Sequence, residues 1–173
     1  QAANGSFAGL DEPELVTMAI SAKAWPGPVE FWGDTAAIAW LWQVGLGDLY
    51  RKVHVLETGW LDGLRSQVWW AAARLWVAEL IGSDYLLDLD CVIRRLPLTA
   101  RWAPVVALNR DDYDWECYER SRVEFMPIMS EIAPEFLRAV PCTHALWRCA
   151  NRAVKRQWLD WAQRFICRYA EAA

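Results

Sequence analysis

Asp84-Tyr85-Leu86-Leu87-Asp88-Leu89-Asp90-Cys91-Val92-Ile93-Arg94-Arg95-Leu96-Pro97-Leu98 is the stretch on which the fold reading turns. Tyr85 to Leu87 is a continuous apolar run, short enough for a buried strand, and it leads straight into Asp88-Leu89-Asp90. Just upstream lies the most apolar helical stretch of the chain, Val68 to Ile81, opened by Ser66 and closed by Gly82-Ser83. Only Arg74 and Glu79 are charged within it, so it is expected to be buried nearly all round. Downstream, Val105 to Leu108 reads as a further strand.

The same alternation continues toward the N-terminus. Residues 1–9 are small and polar and read as a loose arm. Asp11-Glu12-Pro13 has the form of a helix start, with Asp11 as cap, and Leu15, Met18, Ala19 and Ala22 give that helix its apolar stripe. Pro26-Gly27-Pro28 stops it. Val29 to Trp32 is a short strand ended by Gly33-Asp34, and Thr35 is placed to cap a second helix that carries Ile38, Leu41 and Trp42 and stops at Gly45. Val53 to Leu56 is a second short strand with His54 turned outward. The order helix, strand, helix, strand, helix, strand predicts an α/β fold with a mostly parallel sheet flanked by helices, in a single domain spanning 1–173.

Beyond Asp111 the character changes. Asp111, Asp112, Asp114, Glu116 and Glu119 make an acidic loop and helix start, and Pro127 and Pro134 are expected to break the helical stretch that follows. Val154, Trp158, Trp161 and Phe165 then fall on one face of a long C-terminal amphipathic helix. Arg148, Arg152, Lys155, Arg156, Arg164 and Arg168 make this end basic, either as a solvated face or as an anion-binding edge.

Composition bounds the functions. The 173 residues are 55% hydrophobic and 23% charged, as in a globular chain with a sizeable core. Thirteen tryptophans suit a Trp-packed core or an aromatic partner surface. The net charge of −4 supplies no general field for nucleic acid. No apolar run reaches the roughly 18 residues of a membrane span. Five cysteines, an odd number without a CxxC, signal neither a disulfide framework nor a zinc site, and point to reduced, mostly buried thiols and a cytoplasmic setting. No P-loop or GxGxxG is present, the acidic run lacks calcium-loop spacing, and Cys142 with His144 gives no independent support for a thiol nucleophile. The chain opens on Gln1 and not Met, as a processed chain or a piece of a longer one would.

The Asp88/Asp90 pair carries the chemistry. Two residues apart on a strand, both carboxylates point to one face and repel unless a cation or proton lies between them. At the carboxyl end of a strand they stand where α/β sheets bind ligands, and a few oxygen donors suit Mg2+ or Mn2+ shared with substrate phosphates. The alternative for the same residues is a solvated strand end or cap.

The segment from Asp84 to Leu98 resembles the core motif of nucleotide-sugar glycosyltransferases with the A-type fold, in which a strand delivers an Asp-x-Asp and a Pro-Leu element follows. Val29-Glu30-Phe31-Trp32-Gly33-Asp34 is similar to an earlier strand of that family that ends in an acidic residue, and Trp69-Trp70-Ala71-Ala72-Ala73-Arg74-Leu75 to the helix whose basic residue faces the donor phosphates. The resemblance spans about 15–125 and implies a nucleotide-diphospho-sugar transferase-like fold. It implies metal-dependent sugar transfer from a nucleotide-sugar donor to an unknown acceptor, with Asp88, Asp90 and His144 as metal ligands. It sets Arg74 near the donor, or in a buried ion pair with Asp88 or Asp84. It sets Asp34 near the nucleotide, or leaves it a helix cap. Asp112, Asp114 and Glu116 are weak options for the acceptor base. The family's first strand has no counterpart before Asp11. The competing reading is a non-catalytic binding or assembly module with a Trp-rich partner surface, for which a homo-oligomer is an option.

Overall fold

In the computed structural model, residues 9–57, 72–82, 84–89, 91–93, 95–96, 98–108, 115–134 and 146–172 are described. They form helices α1 (Glu12–Ala24), α2 (Thr35–Gln43), α3 (Ala72–Leu80), α4 (Leu98–Trp102), α5 (Trp115–Ile132) and α6 (Arg152–Ala172), and strands β1 (Glu30–Gly33), β2 (Lys52–Val55), β3 (Leu86–Leu87), β4 (Val105–Leu108) and β5 (Leu146–Cys149). The chain divides into two compact units: residues 1–77 with 87–103, and residues 78–86 with 104–173.

The first unit contains a β1-α2-β2 crossover. β1 and β2 pair in parallel, with Glu30 opposite Lys52 and Trp32 opposite His54. Parallel neighbours need a long connection, and α2 with the short 3-10 turn Gly47–Leu49 supplies it. Asp11 caps α1 in a reciprocal box: its carboxylate accepts from the Glu14 N–H at 2.9 Å, while the Glu14 carboxylate accepts from the Asp11 N–H. α2 ends on Gly45, at φ +74, a left-handed conformation that a side chain disfavours. A Cβ on Gly47 would collide with the Trp42 ring, so glycine there lets the indole lie on the backbone. Phe31 and Gly33 are the buried positions of β1. Phe31 packs with Met18, Ala37 and Leu41 in one cluster, and Leu41 is fully buried.

The second unit contains most of a separate three-stranded sheet in the order β3-β5-β4. β4 and β5 are antiparallel, with Val105 opposite Cys149 and Leu108 opposite Leu146. The expected mostly parallel sheet is therefore wrong, and with it the expected transferase-like sheet. Among the described residues parallel pairing is confined to β1 and β2, and the strand between β3 and β4 arrives late in the chain. β5 takes the centre because Leu146, Trp147 and Cys149 are all buried, so both of its faces need cover. Trp147 packs on Trp158 of α6 with centroids 5.1 Å apart, and Phe125 of α5 meets Phe165 of α6 edge-on at 5.2 Å.

Other expectations shift in detail. The cap of α2 is Asp34 and not Thr35. α3 is not buried all round: Val77 and Ala78 are, while Leu80 and Trp76 are exposed. Pro127 does not end a helix but lies inside α5, whereas Pro134 does fall beyond its end. The long C-terminal amphipathic helix is present over 21 residues, although Val154 is exposed. Cys91, Cys149 and Cys167 are free thiols; of these Cys149 is buried, Cys91 half-buried and Cys167 exposed.

Candidate functional site

β3 is two leucines long and delivers Asp88 to its end. There the backbone turns, and the Cys91 N–H donates to the Asp88 carbonyl at 3.2 Å. The turn is tied to α1, because the buried Ser21 hydroxyl donates to the Cys91 carbonyl at 2.5 Å. Burying a hydroxyl is unfavourable without a partner, so this contact anchors the helix to the segment after Asp88.

Arg74 of α3 reaches the same place. Its guanidinium lies 2.9 Å from the Asp88 carboxylate, and the two side chains are 28% and 25% exposed. All four residues, Ser21, Arg74, Asp88 and Cys91, belong to the first unit. The site thus holds a carboxylate and a guanidinium side by side in a position about three-quarters buried. A guanidinium has the planar fork that phosphate oxygens prefer, and a carboxylate has the hard oxygen that Mg2+ or Mn2+ prefers. The donor types fit a metal-diphosphate ligand, and any cation there would share the Asp88 carboxylate with Arg74.

The remaining site residues are placed differently. Asp34 caps α2, its carboxylate accepting from the Ala37 N–H at 2.7 Å. Asp90 and His144 lie outside the described residues, as do Asp112 and Asp114. Among the described residues no group of three or more His, Cys, Asp and Glu side chains converges as a metal site would require.

A second cluster, on β1, β2 and the residue that precedes β2, was missed in the sequence. One Glu30 carboxylate oxygen lies 2.7 Å from the Arg51 guanidinium and the other 2.9 Å from His54 Nε2. The His54 ring stacks on Trp32, with centroids 3.9 Å apart and planes 8° from parallel. Arg51 first, and then His54, hold the Glu30 carboxyl below its usual range. The signal was present: Glu30 and Trp32 alternate with the buried Phe31 and Gly33, so they share the other face. In the same unit, Tyr50 packs against Phe31 at 5.3 Å, and burial pushes its phenol up to about 12.

No protein-family model, no curated protein and no solved structure matches the chain. Among the described residues, no helix is long and apolar enough to cross a membrane.

Proposed function

We propose that the chain transfers a sugar from a nucleotide-sugar donor to an acceptor, with Mg2+ or Mn2+ held at Asp88 and Asp90. The observation that carries this reading is the Arg74–Asp88 pair at 2.9 Å, at the end of β3. It brings together the basic helix residue and the first motif carboxylate. The reading rests on that pair and on the residue order around it.

A bound divalent cation would neutralise charge on the departing diphosphate as the anomeric bond breaks. The chain's own residues do the positioning. Asp88 offers a carboxylate oxygen at a turn fixed by Ser21. Arg74 compensates that carboxylate in the resting state and turns its fork toward phosphate oxygens when a donor enters. The same proposal places the protein in a reducing, cytoplasmic setting, supported by the free thiols of Cys91, Cys149 and Cys167.

Calorimetric titration of UDP and GDP, with and without Mn2+, tests the reading. Binding that requires Mn2+ and is lost in the Asp88→Ala, Asp90→Ala variant is the expected result. Absence of binding by the wild-type protein under every condition overturns it.

The second reading, a non-catalytic assembly module, is favoured by apolar side chains left in solvent. Trp102 is 86% exposed, and Val16 and Ile20 sit one turn apart on the outer face of α1. Concentration-dependent self-association without nucleotide binding is its signature.

A further inference from the structure

The second unit contains a cleft of about 730 Å³ between the end of α3 and the first turns of α6. Its lining includes the apolar Ile81 and Leu159 together with Arg152 and Arg156 of α6. The two arginines are four residues apart and so share one face of the helix. Both are exposed, and neither has an ion pair or side-chain hydrogen bond among the described residues.

The charge pattern at this helix start runs against the usual preference. The first turn of α6 contains no acidic residue, whereas α1 opens with Glu12 and Glu14. Arg152, Lys155 and Arg156 instead crowd cations against the positive end of the helix dipole, and like charges four apart repel. The helix amides themselves are already served, because the Asn151 side chain accepts from the N–H groups of Ala153 at 3.0 Å and Val154 at 3.2 Å. Lys155 is also committed: its ammonium donates to the carbonyls of Ile81 and Gly82, which ties the end of α3 to α6 and shapes the cleft. Two acids, Glu79 and Asp160, line the cleft against these three cations. Asp160 has a counter-charge in Arg164, 3.8 Å away. Among the described residues, Arg152 and Arg156 thus have no ion-pair partner, although Glu79 and Asp160 lie in the same cleft.

We propose that this cleft binds the phosphoryl group of a small phosphorylated compound, with Arg152 and Arg156 as the anion clamp. Two guanidinium forks match a dianion with three acceptor oxygens better than a single carboxylate. Ile81 and Leu159 provide the surface for an organic body. Binding here needs no divalent cation, which separates it from the nucleotide-sugar reading of Asp88.

The probes are inorganic phosphate and phenyl phosphate, titrated calorimetrically into the full chain in the presence of a chelator. Saturable binding that weakens as salt is raised, and that falls by about tenfold or more in the Arg152→Gln, Arg156→Gln variant, is the expected result. Tighter binding of phenyl phosphate, with that advantage lost in Leu159→Ala, assigns the cleft to organic phosphate esters. Equal affinity for both probes assigns it to the free anion. The arginines are exposed, so the variant should keep the wild-type circular dichroism spectrum; the single Arg156→Gln variant provides a milder control. No saturable binding by the wild-type chain, or undiminished binding by the folded double variant, overturns the proposal.

Discussion

Trp32 and His54 lie directly across the parallel β1–β2 pair, with their rings stacked 3.9 Å apart and Glu30 bridging His54 to Arg51. This puts one carboxylate between a guanidinium and an imidazole, at a position partly in solvent. Because Glu30 is held below its ordinary value of 4.5, the folded state keeps it ionised more readily than the unfolded chain does. Its stabilisation is present above the unfolded value and is lost as pH falls through the lower folded value. Thermal midpoints of the wild-type protein should therefore drop on acidification below about 4.5, and Glu30→Gln should flatten that part of the profile. Added salt should shrink the difference, since the side chains of Glu30 and Arg51 are 28% and 59% exposed. Superimposable profiles for the two proteins at low salt contradict the assignment.

Gly45 stands at φ +74 with nothing near the position a Cβ would take. Gly45→Ala should thus cost about 1 kcal/mol through backbone strain alone, with no steric contribution. In urea denaturation the midpoint should fall while the slope stays constant. A neutral substitution would show that α2 can end without the left-handed residue.

Asp34 caps α2 through the Ala37 N–H at 2.7 Å. Asp34→Ala should cost about 1 kcal/mol, while Asp34→Asn, which keeps the acceptor oxygen, should cost much less. If Asp34 acts only as a cap, both variants leave any Mn2+-dependent nucleotide binding unchanged once folded. A large loss of that binding in the stable Asn variant assigns the carboxylate to the ligand instead.

The β1-α2-β2 unit was legible because its signals are local. Gly33-Asp34 and Gly45 punctuate it, and Phe31 and Leu41 mark the inner faces. In the second sheet β3 and β4 were legible as apolar runs, but the central strand and the pairing were not, because β5 has only four residues, one of them Arg148, and its antiparallel partner β4 lies far back in the chain. Nothing local distinguishes a parallel from an antiparallel neighbour at such a distance. Pro127 misled for another reason. A proline removes one helical hydrogen bond, but the carbonyl it strands belongs to Val123, which is exposed and can be hydrated, so α5 continues. At the candidate site, Arg74 left two alternatives, and the structure supplies the ion pair with Asp88; the Ser21 anchor had no sequence signal, since its partner is a backbone carbonyl 70 residues away.

Arg74 and Asp88 provide the sharpest separation between architecture and chemistry. Their pair is about three-quarters buried, more sheltered than a surface bridge, yet not dry enough for a large net gain. A double-mutant cycle with Arg74→Met and Asp88→Asn should give a coupling of about 1 kcal/mol in unfolding free energy. If the pair is only structural, the double variant recovers most of the stability lost by the singles, and no nucleotide effect accompanies any of the three. If the donor reading holds, recovery of stability leaves function behind. Arg74→Met then weakens Mn2+-dependent UDP binding by losing phosphate contacts, Asp88→Asn weakens it by losing a metal ligand, and the double variant, although stable, binds worst. Restored binding in the double variant would show that the pair orders the fold and does not touch the donor.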